Sequence, residues 1–169
     1  LDLFPNAKIT HRLDMATSGI ILFAKHRDAE VAASKMFQAR TIKKNYIALV
    51  QGKINSNGSV EVPLITDWEN RPRQIVHFEL GKPAQTLFEC IGYDSEKDVS
   101  RVLLTPITGR SHQLRVHMQY IGHPIMRDKL YHPEPFKTDL NRMALHASYL
   151  SFMQPFSNEL IEIVSEPEF

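Results

Sequence analysis

The stretch His11-Arg12-Leu13-Asp14-Met15-Ala16-Thr17-Ser18-Gly19-Ile20 sets one carboxylate, Asp14, in a polar, turn-forming segment directly before an apolar run, Ile20 to Ala24. Arg12 lies two residues ahead of the carboxylate. Far downstream, Arg115 follows Ser111, a natural helix N-cap, by four residues, which places it in the first turns of a helix. A guanidinium and a helix N-terminus both favour the ionised form of a nearby carboxylate. An ionised, partly desolvated aspartate can act as a nucleophile or as a base. Taken without its flanks, Asp14 reads as an ordinary surface aspartate in a turn.

Other reactive side chains carry less on their own. Tyr46 falls in a strand-like segment on the face of Lys44 and Ala48, where a tyrosine is usually a packing residue. His112 and His117 are five apart and share a helical face poorly, and His123 lies beyond that helix. No His-Glu-x-x-His or comparable ligand spacing is present, so the histidines read as hydrogen-bonded structural groups or phosphate contacts, and no metal is expected. The seven glycines are scattered, with no phosphate loop or dinucleotide fingerprint, and no cofactor is implied. The single cysteine, Cys90, excludes an internal disulfide and reads as a packed strand residue.

The elements that must position these groups follow from periodicity and turn chemistry. Residues 19–25 read as a buried strand, and residues 27–40 as a helix with Ala29, Ala32, Ala33, Met36 and Phe37 on one face. Residues 43–51 read as a strand, Asn57-Gly58 as a hairpin turn, and residues 73–80, 82–93 and 98–105 as further strands. A turn is expected at Tyr93 to Lys97. Ser111 is expected to cap a helix over 112–121 whose apolar stripe is Leu114, Met118 and Ile121. Pro133 and Pro135 mark a loop, and residues 143–153 and 159–164 read as two last strands. Two helices that do not alternate with many strands predict an α+β fold, a large and mainly antiparallel sheet with helices packed on it.

The length of 169 residues fits one domain, spanning 1–169, with a sizeable core. A composition that is 43% hydrophobic and 23% charged excludes a disordered chain. The longest apolar runs are far too short for a transmembrane helix. With no signal-peptide pattern at the start, the cytoplasm is the expected compartment. Charge is unevenly spread. Residues 1–53 hold nine Lys or Arg against four acids, whereas residues 138–169 hold one arginine against five acids. Such polarity could create a basic face for a polyanion, but from charge alone solvated surface charge is the favoured reading. Lys35, Arg40, Lys43 and Lys44 form a run without acids, and its helical members read as the wet face of the helix.

Three motifs in order identify a resemblance. His11-Arg12-Leu13-Asp14-x-x-Thr17-Ser18-Gly19 resembles the catalytic-aspartate motif of the RluA-type pseudouridine synthases. Lys44-x-Tyr46-x-Ala48 resembles their tyrosine motif. Thr108-Gly109-Arg110-Ser111-His112-Gln113-Leu114-Arg115-Val116-His117, followed by Gly122-His123-Pro124-Ile125, resembles their basic-residue motif. Asp67 to Arg73, with Gly81 to Thr86, resembles the dual-specificity branch that acts on large-subunit (23S) rRNA and on the tRNA anticodon arm. The family carries an upstream strand with a lysine-proline motif that this sequence does not contain, and the early arrival of the Asp14 motif after Leu1 points to a missing first segment.

The resemblance implies the pseudouridine synthase fold, a long mixed sheet with a central catalytic cleft. It implies isomerisation of uridine in RNA stem-loops, without metal or cofactor, by an enzyme expected to be monomeric. Asp14 would be the catalytic aspartate, Tyr46 the active-site tyrosine and Arg115 the partner that holds Asp14. Three routes stay open for Asp14: attack on the base, attack on the ribose, or removal of the C2′ proton. Tyr46 has two roles of equal standing, packing on the base and assisting the final loss of the C5 proton. A target base must leave its stack, and Arg12 would enter the gap or hold the phosphate. Arg110 and His112 would contact the RNA. Arg71, Arg73 and Lys82 would form a hairpin that clamps its backbone, a reading that stands level with a solvent-exposed hairpin. The rival is a non-catalytic RNA-binding module, which would bind RNA with Asp14 removed and isomerise nothing. A glycosidic hydrolase fits less well, because such enzymes generally flank the bond with two carboxylates.

Overall fold

The computed structural model describes residues 4–135 and 137–169. Short strands β1 (Lys8–Ile9), β2 (Ser18–Gly19) and β3 (Phe23–Ala24) precede helix α1 (Arg27–Gln38). Strands β4 (Lys43–Gln51), β5 (Gly58–Glu61), β6 (Leu64–Thr66), β7 (Gln74–Val76), β8 (Gln85–Asp94) and β9 (Val99–Pro106) follow. Helix α2 (Gln113–Tyr120) and strands β10 (Leu145–Met153) and β11 (Leu160–Val164) complete the order. A seven-stranded sheet runs β11-β10-β4-β9-β8-β5, with β2 paired to β10. Every pairing is antiparallel except β2 with β10. The α+β expectation therefore holds.

The centre of the sheet is where the apolar alternation is strongest. Ala48 and Val50 of β4, Val102 and Leu104 of β9, and Leu145 of β10 turn one face inward. Leu114 and Met118 of α2 and Ile125 pack on it. Leu114, Met118 and Ile121 thus form the contact stripe of α2, as their spacing predicts, with Ile121 partly buried at its end. Full burial of one such side chain contributes about 1.5–3 kcal/mol. The turn at Tyr93 to Lys97 joins β8 to β9, because the Asp94 carboxylate accepts the backbone N–H groups of Glu96 and Lys97. Cys90 is half-buried against the same core.

Several local expectations are corrected. Residues 19–25 do not form one buried strand. Gly19 adopts φ +104 beside β10, the chain turns there, and only Ala24 is buried whereas Ile21 and Phe23 are exposed. Helix α1 stops at Gln38, and Arg40, in the left-handed region, lies outside it. Its apolar face is placed as expected, with Ala33 fully inside. Asn57-Gly58 is not a hairpin turn. Gly58 opens β5, which pairs with β8, and the Asn57 amide oxygen accepts the backbone N–H of Cys90. Of residues 73–80 only β7 is a strand, since the chain turns at His77 to Gly81. Ser111 does not cap α2. His112 is the N-cap residue, at φ 53 and without a capping side chain. Gln113 does the local work: its Oε1 accepts the Arg110 N–H and the Thr108 hydroxyl. Its amide donates to the Gln85 carbonyl and Thr86, which closes the loop onto β8.

Two measurements test this account. Leu104→Ala, at a fully buried central-strand position, lowers the urea-unfolding free energy by about 2–5 kcal/mol. At Gly19 a Cβ would stand 2.3 Å from the Ala147 carbonyl oxygen. Gly19→Ala therefore breaks the β2–β10 pairing, and exchange of the Ile20 amide, which bonds to that oxygen at 3.0 Å, accelerates while amides in β9 stay protected.

Candidate active site

The segment that carries Asp14 is a closed loop tied to the sheet. At its stem the Thr10 backbone N–H and hydroxyl both donate to the Leu22 carbonyl, and the Leu22 N–H donates to His11 Nε2 at 2.9 Å. A turn closes from Thr17 N–H to the Asp14 carbonyl at 2.9 Å. Beyond it, Ser18 and Gly19 pair with His146 and Ala147 of β10. The Ser18 hydroxyl meets His146 Nδ1 at 2.8 Å and also accepts from Arg142. These ties leave Asp14 partly exposed at one wall of a cleft.

The cleft encloses about 850 Å³. Arg12, Asp14, Tyr46, Arg110 and His112 line it, together with Arg40, Lys43 and Lys44. Asp14 is the one carboxylate among its lining residues, against five Lys or Arg. The opening is therefore cationic, with one negative group inside.

Arg115 stands behind this wall in α2, with only 6% of its side chain exposed. Its Nη1 lies 3.6 Å from Asp14 Oδ2. The sequence pairing of Asp14 with Arg115 is thus met in space, but Arg115 has a second and closer partner that sequence reasoning missed. Asp128 takes the guanidinium in a two-pronged grip, Nε to Oδ2 at 2.7 Å and Nη2 to Oδ1 at 2.8 Å. Asp128 is fully buried, and Oδ1 also accepts the backbone N–H groups of Leu130 and Tyr131. The hydrogen bonds to Asp128 hold Arg115 firmly protonated against the opposing effect of its burial. In the sequence Asp128 lies between Arg127 and Lys129, neighbours that give no sign of a buried role.

Tyr131 is the other residue missed. Its ring faces the Arg115 guanidinium at 4.9 Å, and its hydroxyl meets His112 Nδ1 at 2.7 Å while accepting the Gln74 backbone N–H at 2.7 Å. Burial pushes the Tyr131 hydroxyl up to about 12. Burial, with Arg115 next in weight, holds His112 below the ordinary histidine range. His112 is therefore a neutral imidazole in the cleft wall at physiological pH.

Tyr46 projects from β4 into the cleft and also packs against the main core. Its hydroxyl is pushed up to about 12, first by burial and then by the negative charge of Asp14. His117 is a structural group, fully buried between Thr86 and the Val62 carbonyl, and His123 bonds the Gln51 carbonyl. Among the described residues no group of three or more His, Cys, Asp or Glu is placed to hold a metal ion. None of their helices is long and apolar enough to cross a membrane.

Arg71, Arg73 and Lys82 do not line this cleft. Nor do the three form one hairpin: Arg71 and Arg73 lie in the β6–β7 loop, whereas Lys82 lies past β7 and bridges Leu64 of β6 through paired backbone hydrogen bonds. Arg71 lies 3.7 Å over the exposed Trp68 ring at the tip. Arg73 points back to the Tyr131 ring at 5.6 Å. The hairpin is tied to the cleft near its loop, through Gln74, Tyr131 and His112.

Comparison with known proteins places this geometry. A family model described as RNA pseudouridylate synthase matches residues 4–120. The "Dual-specificity RNA pseudouridine synthase RluA" of Pasteurella multocida is 49% identical over 160 residues, 94% of this chain and 73% of that protein. The protein of the same description from Vibrio parahaemolyticus is 47% identical over 170 residues, covering 98% and 68%. Among solved structures, Human RNA Pseudouridylate Synthase Domain Containing 1 superposes with a TM-score of 0.85 at 32% identity, over 99% of this chain and 71% of that one. Human RNA Pseudouridylate Synthase Domain Containing 4, at 21% identity and a TM-score of 0.77, shares the fold. On both the match of residues 4–120 and the identity of these relatives, the chain belongs to the RNA pseudouridylate synthase family.

Proposed function

We propose that Asp14, Tyr46 and Arg115 carry the isomerisation of uridine to pseudouridine in this chain, acting as a single catalytic domain on stem-loops of large-subunit rRNA and of the tRNA anticodon arm. The observation that carries this reading is the lone carboxylate of a cationic cleft with an arginine at 3.6 Å. The substrates rest on the dual-specificity relatives. A cytoplasmic monomer suits an enzyme that must close around folded RNA.

The reaction breaks the bond from C1′ to N1, turns the uracil, joins C5 to C1′, releases the C5 proton and leaves N1 protonated, so that the product is an isomer of uridine. Each of the three routes open to Asp14 needs a carboxylate beside the ribose, and Arg115 balances its charge. Fixed on Asp128, Arg115 makes no large movement as the charge on Asp14 is taken up and returned, which is what preorganised electrostatic stabilisation requires. Tyr46 keeps its proton far above physiological pH. That favours packing on the base and donating a hydrogen bond over service as a phenolate base for the C5 proton.

Arg12, exposed at the cleft rim, fills the gap left by the flipped base or holds its phosphate. Arg110 and His112 contact the RNA from the loop before α2. Arg71 and Arg73 of the β6–β7 hairpin, with Lys82 bridged to its β6 strand, clamp the backbone, and the exposed Trp68 under Arg71 forms the outer end of the hairpin.

Tritium release from C5-labelled anticodon-arm and 23S fragments tests the central claim. The parent releases tritium, and Asp14→Asn lowers the rate by at least about a thousandfold, within the range for loss of one acid–base group. Equal release from both removes Asp14 from the mechanism. Absent release with RNA still bound supports the binding-module alternative. A second test reads Tyr46 directly. The phenolate absorbance of the parent minus that of Tyr46→Phe shows one ionisation near 12, against 10 for an unperturbed tyrosine. Because the folded value is the higher, the stability contributed by the neutral phenol is complete below pH 10 and is lost as the pH rises towards 12. A difference titrating at 10 overturns the neutral role.

A further inference from the structure

The cleft contains a cation, Lys44, for which no counter-charge stands among the described residues. Lys44 precedes Tyr46 by two residues on β4, so both side chains leave the same face of the strand, about 7 Å apart along it. It is half-buried and lines the cleft. Its Nζ lies 5.6 Å from the Phe37 ring centroid and 4.0 Å from the place a Cβ on Gly109 would occupy. His11 is near enough for the charge of Lys44 to act on its imidazole. Among the described residues no carboxylate lies within ion-pair distance of Lys44. Asp14, the acid of the cleft, is engaged by Arg115.

Lysines are almost never buried unless paired. Burial accordingly holds the Lys44 ammonium below the ordinary lysine range. The neighbouring Lys43 is exposed. A lysine kept at such expense beside Tyr46 needs an anion that arrives from outside. The uracil ring is neutral, and the anions that RNA brings are its phosphodiesters. Gly109 leaves space next to Nζ: apart from its flanking residues, only the Lys44 Nζ comes within 4.0 Å of where a Cβ would stand.

From this unpartnered, desolvated cation we infer that Lys44 binds the phosphodiester adjoining the uridine that enters the cleft, and so fixes the position of its ribose between Asp14 and Tyr46. This rests on the reading of the cleft as the uridine site. In it, Lys44 is a positioning residue, and the more exposed Arg40 and Lys43 only add to the general attraction of the rim for RNA.

The test is binding of a hairpin RNA with an anticodon-arm sequence, carrying one neutral methylphosphonate stepped through each loop linkage. The proteins are the full chain, Lys44→Gln, Lys44→Arg and Gly109→Leu, measured across a salt series. Lys44→Gln binds about tenfold more weakly, as for loss of one charge-assisted contact, and the slope of log affinity against log salt falls by about one. At one linkage the methylphosphonate weakens the parent about tenfold and leaves Lys44→Gln unchanged. Lys44→Arg keeps that linkage-specific loss. Gly109→Leu, which fills the space next to Nζ and leaves the lysine in place, removes it, so the result does not depend on one variant folding. If Lys44→Gln or Gly109→Leu loses affinity at every linkage as the parent does, or keeps the parent salt slope, the inference falls. Because the readout is binding, its failure is separate from that of the catalytic reading: linkage-specific coupling without tritium release keeps the phosphate contact and removes the proposed chemistry.

Discussion

The site depends on one buried ion pair, Arg115 with Asp128. An arginine with 6% of its side chain exposed would be costly without a counter-charge, and Asp128, with none exposed, supplies it through two hydrogen bonds. Asp128 is itself held by the backbone N–H groups of Leu130 and Tyr131. The planar fork of the guanidinium fixes its plane once Nε and Nη2 are bound, so Nη1 is left facing Asp14. A lysine in the same place would offer a point charge and no such direction. The pair is thus a matter of geometry more than of net stability, since buried pairs seldom repay their desolvation by much.

Around that pair the cleft is assembled from distant pieces, each fixed by a short-range device. Tyr131 covers the guanidinium with its ring and joins His112 in the cleft to Gln74, where β7 leaves the hairpin loop. Gln113 gathers the loop before α2 onto β8. Tyr46 rides on the most deeply paired strand, flanked by β9 and β10. Groups that line the cleft are in this way carried by the rigid sheet or by loops bonded to it, which is the usual arrangement of sites on a scaffold.

Periodicity carried the central strands and helix faces. β4 spans the residues its sequence predicts, because Tyr46, Ala48 and Val50 alternate with polar or half-exposed neighbours. The two helices and their apolar stripes were legible for the same reason. What failed was decided by non-local partners. Residues 19–25 look like a buried strand, but Gly19 and the Ala147 carbonyl break them. Asn57-Gly58 has the chemistry of a hairpin turn, but its side chain is used by Cys90 across the sheet. Ser111 has the chemistry of a cap, but Gln113 reaches back to bond the loop itself. Asp14, Tyr46 and Arg115 were visible through their flanking motifs, whereas Asp128 and Tyr131 matter through contacts with Arg115 that no local pattern records.

The parallel pairing of β2 with β10 has a consequence for the order of events during synthesis. Ser18 and His146 meet across 128 positions of sequence. The loop that bears Asp14 is therefore among the earliest parts of this segment to leave the ribosome and among the last to be fixed. Until β10 has emerged and docked on β4, Ser18 and Gly19 lack their strand partner, and the Asp14 loop is held by its own stem at Thr10, His11 and Leu22. Such long-range closure is slow compared with local helix formation. The cleft wall that carries Asp14 is thereby completed only when nearly the whole sheet is present.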